Sequence, residues 1–254
     1  MLGKLQFNGE PVLITGGGQG IGKAIADALA QMGASVIIAE RSDETMRAAA
    51  ADIASRGGTC EFHQTDVSSE DSVAALASAI ESRWGRLKAL INNAGTNFRT
   101  PLHELSTEKW REIAGVNLDS VFFMCRAFIP LLLKAPNPSI VNVASSFGVI
   151  GNPQMPVYCA TKGAVVNLTR QMAIDYGPRG LRVNSLCPGP TLSPRLQTYI
   201  DKGLTDPNKL SAQVMLGRLA TCEEIGDVAA FLASDAASFM TGATVVVDGG
   251  QTIN

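Results

Sequence analysis

Apolar positions in this chain fall in short solid runs, each followed by a longer stretch in which they recur every three or four residues. PVLIT (11–15), SVIIA (35–39), LKALIN (87–92), SIVNVA (139–144), LRVNSL (181–186) and TVVVD (244–248) are the solid runs. They are rich in β-branched residues and bounded by turn formers, as strands are. TCEFHQ (59–64) reads as a seventh strand. Between them, the helical period predicts helices over 21–32, 43–56, 68–84 and 106–134, around Tyr158, and over 223–234. Gly33 marks the end of the first helix. Ser68 with Asp71, and Thr221 with Glu224, stand at capping-box spacing. Pro130 is expected to kink or end the long helix.

Strands that are apolar throughout and alternate with helices imply a parallel sheet covered on both faces. The expectation is a doubly wound α/β fold, a single Rossmann-like domain over 1–254 with about seven strands. The stretch 188–213 follows neither period and is long for a plain connection, so a substrate lid is expected at about 190–215.

Composition narrows the function classes. Of 254 residues, 46% are hydrophobic and 17% charged, ample for a sizeable core. A net charge of −2 gives no footprint for a nucleic-acid backbone or an anionic membrane, so neither is expected as a partner. The cysteines at 60, 125, 159, 187 and 222 form no CxxC pair, and with only His63 and His103 present no metal site is expected. Scattered thiols, an N-terminus without a signal-peptide apolar region, and a longest apolar run (121–133) interrupted by Arg126 suggest a cytoplasmic protein. Cys159 reads as a packing residue, Cys187 as an unactivated thiol and His103 as an exposed loop residue.

Two features carry chemistry. TGGGQGIG (15–22) lies where the first strand turns into the first helix. Gly16, Gly20 and Gly22, with Gly18, Gln19 and Ile21 between them, form a loop whose N–H groups can approach a phosphate. At the end of the second strand, Glu40 could accept hydrogen bonds from both ribose hydroxyls and would repel a 2′-phosphate, favouring NAD over NADP. Arg41 beside it would pull the other way. The second feature is Tyr158 and Lys162, one helical turn apart on one face. A phenol with a pKa of about 10 is a poor base at neutral pH. A cation one turn away is expected to favour the phenolate.

Together with NNAG (92–95), Asn117, Ser145, YCATK (158–162), PG (188–189) and VDGG (247–250), the glycine loop resembles the short-chain dehydrogenase/reductase family, nearly end to end. The resemblance implies NAD(P)-dependent interconversion of an alcohol and a carbonyl by Asn117, Ser145, Tyr158 and Lys162. Tyr158 would exchange the proton, Ser145 orient the substrate oxygen, Lys162 hold the nicotinamide ribose, and Asn117 hold a water linking the lysine to solvent. Ser145 matches the family spacing to Gly148 and Tyr158, with Ser146 the fallback. Further cofactor contacts are implied at Asp66 and Val67 for the adenine, at Asn93, Ala94 and Gly95 on the ribose side, and at Pro188, Gly189 and the Thr191 backbone. Ser193 stands where the family often has threonine.

The substrate pocket is expected from Asn97–Phe98–Arg99, 148–157 and 192–215. Phe98, Met155, Pro156, Leu192, Leu196, Tyr199 and Met215 would line it, with Asn152, Gln154 and Arg195 as polar anchors. Such a pocket suits a small-molecule secondary alcohol or ketone of polyol, sugar or hydroxylated-ring type. A rival is an NADPH-dependent 3-oxoacyl-carrier-protein reductase, suggested by FLASDAASFMTGATVVVDGG, with Arg170 and Arg179 helping to dock an acidic carrier. Another is a non-catalytic NAD-binding or sensing protein. Family members are commonly tetramers, so a homotetramer using the 106–134 helix is expected.

Overall fold

The computed structural model describes residues 2–253. Seven strands, β1 (Pro11–Thr15), β2 (Ser35–Glu40), β3 (Thr59–Gln64), β4 (Ala89–Asn92), β5 (Ser139–Val143), β6 (Arg182–Pro188) and β7 (Thr244–Val247), form one sheet. Their order is β3-β2-β1-β4-β5-β6-β7 and every pairing is parallel. Helices α1 (Gly20–Gln31), α2 (Asp43–Ser55), α3 (Glu70–Trp84), α4 (Thr107–Ala114), α5 (Ser120–Leu132), α6 (Pro156–Tyr176), α7 (Pro194–Asp201), α8 (Pro207–Ser211) and α9 (Cys222–Ala233) complete the doubly wound α/β fold.

Alternate strand residues feed two cores. Leu13, Ile37, Leu90 and Ile140 face α3, α5 and α6, where Phe128 is fully buried. Val12, Ile14, Ile38, Ile91 and Val141 face α1, α2 and α9. This is the two-residue period of a strand with both faces covered. Each such side chain contributes about 1.5–3 kcal/mol by leaving water. At Gly226 the backbones of α1 and α9 come together: a Cβ there would stand 2.8 Å from the Ala24 carbonyl.

Local signals are partly redirected. Thr221 and Glu224 form the expected capping box. The α3 box does not form: Ser69 caps that helix through Ser72 N, while the Ser68 hydroxyl is drawn to the Asp66 carboxylate at 2.6 Å. The long helix runs over Thr107–Leu132, but Gly115–Asp119 is a π turn joining α4 to α5. Pro130 sits inside α5, which ends two residues later. This helix is long and apolar enough to cross a membrane, yet half of its most apolar window is buried inside the protein.

The two edges of the sheet differ. At the amino ends of the strands, the buried Lys88 reaches Asp235 at 2.7 Å and the carbonyls of Pro136 and Asn137 at 2.9 Å. Arg182 donates to the carbonyls of Leu232 and Ser234, both at 2.9 Å, closing the carboxyl end of α9. At the carboxyl ends the chain leaves β1 towards β2 on one side and β4 flanks it on the other, and a crevice opens at this switch point.

Candidate active site

The crevice is a cleft of about 1140 Å3 running from the end of β2 to the start of α6. Its floor is the glycine turn after β1. Gly16 and Gly20 take positive φ of 67° and 57°, conformations that a side chain disfavours. A Cβ on Gly22 would lie 1.9 Å from the Gly16 carbonyl oxygen. The loop after β4 is laced to this turn: Asn93 Nδ2 donates to the carbonyls of Thr15 and Gly16 at 3.0 Å, and Thr15 Oγ1 accepts from Asn93 N and Ala94 N at 3.0 Å. Gln19 precedes α1 without making a capping bond, so first-turn N–H groups are left for a phosphate.

Of the expected cofactor contacts, Gly16, Gln19, Gly20, Ile21, Gly22, Glu40, Arg41, Asp66, Val67, Asn93, Ala94, Gly95, Pro188, Gly189, Thr191 and Ser193 all line the cleft. Gly18 does not; it is turned to α2, where a Cβ would meet the Thr45 hydroxyl at 2.8 Å. Glu40 is half-buried and accepts from Arg41 N at 3.0 Å. Asp66 is held below the usual carboxylate range, chiefly by the Ser68 hydroxyl. Ser193 spends its hydroxyl capping α7 through Leu196 N at 3.3 Å. VDGG acts as a buttress: Asp248 stands so close to Gly189 that a Cβ there would meet it at 2.6 Å. A flat, Cβ-free floor, uncapped helix amides and a carboxylate at the far end fit a dinucleotide.

At the other end stand the side chains expected to react. Lys162 is buried, and its Nζ donates to the Val143 carbonyl at 2.8 Å. Its ammonium lies 5.9 Å from the centre of the Tyr158 ring. Ser145 is buried, and a close approach at Gly148 brings its turn against α6: a Cβ at 148 would lie 2.7 Å from the Lys162 carbonyl. Ser146 is engaged elsewhere, donating to Gln251 Oε1 at 2.9 Å.

Burial dominates the electrostatics here, which corrects the expectation from spacing alone. The Tyr158 phenol is raised above its ordinary value by desolvation, with the Ser145 side chain and the Arg195 charge opposing that rise. Burial also pushes the Lys162 ammonium down, to about 8. Loss of water is the largest cause at both groups, and Lys162 is not among the groups that oppose the rise at Tyr158.

Asn117 does not line the cleft. From the π turn, its Oδ1 accepts from Thr96 N at 2.8 Å, and its Nδ2 donates to the Thr96 carbonyl at 2.9 Å and to Thr161 Oγ1 at 3.3 Å. It lies behind Gly95, where a Cβ would meet both its Oδ1, at 3.4 Å, and Lys162 Nζ, at 3.3 Å. Asn117 therefore positions the loop that faces the lysine.

Around the substrate end, Met155, Leu196, Tyr199, Asn152 and Arg195 line the cleft as expected. Phe98 turns outward, under the Lys109 ammonium at 5.3 Å. Leu192 and Met215 are exposed, Pro156 lies outside the lining, and Gln154, at φ 60°, offers its carbonyl to Thr100 N. The segment 188–213 supplies α7 and α8; Tyr199 Oη donates to Asn97 Oδ1 at 3.3 Å and Arg195 to the Gly95 carbonyl at 2.9 Å. Thr205 and Leu210 line the cleft from within the expected 192–215 segment, whereas sequence reasoning missed Val116 in the lining and Thr161 behind it. Val116 was reachable through its place beside Asn117; nothing in the pattern marked Thr161. His103 is exposed beside Glu104, and Cys187 is buried with its thiol raised.

The family model described as enoyl-(acyl carrier protein) reductase matches residues 16–252. A meso-2,3-butanediol dehydrogenase of Serratia marcescens is 40% identical over 250 residues, covering 98% of this chain and 96% of that protein. A cyclopentanol dehydrogenase of a Comamonas species is 38% identical, with 98% and 99% covered. Among solved structures, a gluconate 5-dehydrogenase from Burkholderia cenocepacia in complex with NADP and tartrate superposes with a TM-score of 0.93 at 32% identity, covering 100% of this chain and 99% of that one.

Proposed function

The chain belongs to the short-chain dehydrogenase/reductase family and is an NAD(P)-dependent oxidoreductase of alcohols and carbonyls, and from that premise we propose that it interconverts a secondary alcohol and a ketone using NAD. The observation that carries this reading is the meeting of Ser145, Tyr158 and Lys162 at one end of a cleft whose other end is the glycine turn and Glu40. A bound nicotinamide dinucleotide supplies the hydride acceptor, or the donor in the reverse direction. Gly16, Gly20 and the first-turn amides of α1 receive its phosphates, Glu40 its adenosine ribose, and Lys162 the ribose nearest the reaction.

Ser145 Oγ hydrogen-bonds the substrate oxygen and holds it beside the Tyr158 hydroxyl. In oxidation Tyr158, as phenolate, takes the proton from the alcohol; in reduction it returns one to the carbonyl oxygen. Lys162 holds positive charge near that phenolate, and Asn117, through Thr96 and Thr161, keeps the β4 loop and α6 in register around it. Helices α7 and α8 form the lid over a polyol, sugar or hydroxylated-ring substrate. Exposed Trp110 and Phe122, on the helix 107–132, support a homotetramer, which light scattering tests.

The carrier-protein reading is supported by the description of the matching family model, but the cations it needs are badly placed. Arg179 precedes β6, at the edge of the sheet away from the cleft, and Arg170 is twelve residues along α6 from Tyr158, about 18 Å at 1.5 Å per residue. The test is turnover of a panel of secondary alcohols and ketones with NAD(H) and NADP(H), by the parent and by Tyr158→Phe. Turnover in the parent, lost by at least about a hundredfold in the variant while dinucleotide binding persists, is expected. Binding with no turnover on any substrate leaves only a binding protein.

A further inference from the structure

The reacting end of the cleft carries positive charge that the fold does not balance. Arg195, in the first turn of α7, is exposed, and it bonds to a neutral acceptor, the Gly95 carbonyl. Among the described residues it forms no ion pair, nor do Arg99 and Lys209, which line the same cleft. Arg99 stands where the β4 loop meets 149–155, since Thr100 N donates to the Gln154 carbonyl at 2.8 Å. Two carboxylates line this region: Glu112 is paired with Lys109 at 2.5 Å, and Asp206, which accepts from Asn208 N at the start of α8, keeps its charge, against Arg99, Arg111, Arg195 and Lys209, none of which is paired among the described residues. Arg195 is near enough to the reacting groups for its charge to oppose the rise at Tyr158 and add to the depression at Lys162. An arginine on a convex surface needs no partner; these cations line one concave cleft with the phenol, in a chain whose net charge is −2.

We propose that Arg195, assisted by Arg99 and Lys209, selects secondary alcohols that carry an anionic group, a carboxylate or sulfonate, on the lid side of the reacting carbon. This rests on the dehydrogenase reading above. A guanidinium matches a two-oxygen anion with two parallel hydrogen bonds, stronger than its single bond to a neutral carbonyl. The substrate therefore displaces Gly95 from Arg195. Because Arg195 and Tyr199 ride on the same helix, one turn apart, engagement of the anion also settles α7 over the reacting carbon and keeps water out.

The test uses secondary alcohols in matched forms, a hydroxycarboxylate against its methyl ester and a hydroxysulfonate against its sulfonamide, alongside a neutral diol. Parent, Arg195→Gln and Arg195→Lys are assayed with NAD at low ionic strength, and NADH affinity is measured by fluorescence. The parent is expected to prefer at least one anion over its neutral twin by about tenfold or more in kcat/KM, Arg195→Gln to bring that ratio towards one, and Arg195→Lys to keep part of it. Neutral substrates equal to or better than anions in the parent, or a ratio unmoved by Arg195→Gln, overturn the proposal. So does a variant that weakens NADH binding and lowers both twins equally, which assigns the guanidinium to the dinucleotide phosphates. Turnover of the neutral diol with none of the anions removes anion selection but leaves the dehydrogenase; no turnover of any alcohol removes both.

Discussion

The Lys162 ammonium rests on a single main-chain acceptor, the Val143 carbonyl oxygen at 2.8 Å, at the carboxyl end of β5. One neutral oxygen does not replace the water a buried charge gives up, which is why burial drives this lysine down to about 8. The unfolded chain keeps the proton up to the ordinary value of 10.5, so between about 8 and 10.5 unfolding takes up a proton and stability rises with pH. Parent and Lys162→Met are therefore expected to differ in pH dependence in that window. Without dinucleotide, the parent gains thermal stability relative to the variant as pH rises, and at neutral pH the variant is at least as stable as the parent. Differential scanning calorimetry across the window reads this directly; parallel curves would mean that the lysine is solvated in the folded state.

Gly22 should tolerate no side chain. Its Cβ would stand 1.9 Å from the Gly16 carbonyl oxygen and 2.6 Å from Asn93 Nδ2, so Gly22→Ala forces the glycine turn away from the β4 loop. A stability loss of about 1–3 kcal/mol is expected from overpacking. Dinucleotide affinity is expected to fall at least about tenfold, because the same shift moves the phosphate-facing amides. Gly57→Ala, where nothing lies within 4 Å but φ is +81°, is the control: it strains the backbone without touching the turn. Equal NADH affinity in both variants would remove the turn from cofactor binding.

The central strands were legible because both faces of β1, β4 and β5 are buried, leaving solid apolar runs with no helical alternative. Thr221 was legible as a cap because Glu224 keeps its bond to Thr221 N while also pairing with Arg218; Ser68 was misread because Asp66, two residues back, takes its hydroxyl. The π turn at 115–119 left no mark, since the residues on either side keep the helical pattern and only the hydrogen-bond register shifts. The meeting of Tyr158 and Lys162 followed from their spacing, whereas its electrostatic outcome depends on water removed by residues distant in sequence. Loop side chains such as Phe98, Leu192 and Met215 have no period to fix their direction, and all three face outward.

Arg182 is expected to matter for stability alone. Its guanidinium reaches the carbonyls of Leu232 and Ser234 at the end of α9, far from the open edge of the sheet. Arg182→Met keeps most of the aliphatic stem and removes the guanidinium from those carbonyls, of which Ser234 keeps Ala237 N as a donor. A loss of about 1.5–3 kcal/mol in urea unfolding is expected, with kcat/KM unchanged in the fraction that remains folded. A drop in kcat/KM at full occupancy of the native state would mean that the amino edge couples to the cleft.

Cofactor choice should turn on Glu40. Its half-buried carboxylate ends β2 inside the cleft, held by Arg41 N at 3.0 Å, where it can accept from both hydroxyls of an adenosine ribose. A 2′-phosphate placed there would bring like charges together, while the exposed Arg41 offers the opposing attraction, weakened by solvent. Glu40→Gln removes the repulsion but leaves a side chain of nearly the same size. The ratio of kcat/KM with NAD to that with NADP is expected to fall at least about tenfold, equivalent to 1.4 kcal/mol. Adding Arg41→Ala to Glu40→Gln should return part of that preference by removing the attraction the phosphate gains from the guanidinium. If Glu40→Gln leaves the ratio where it was, the ribose is read elsewhere and the assignment of NAD loses its basis.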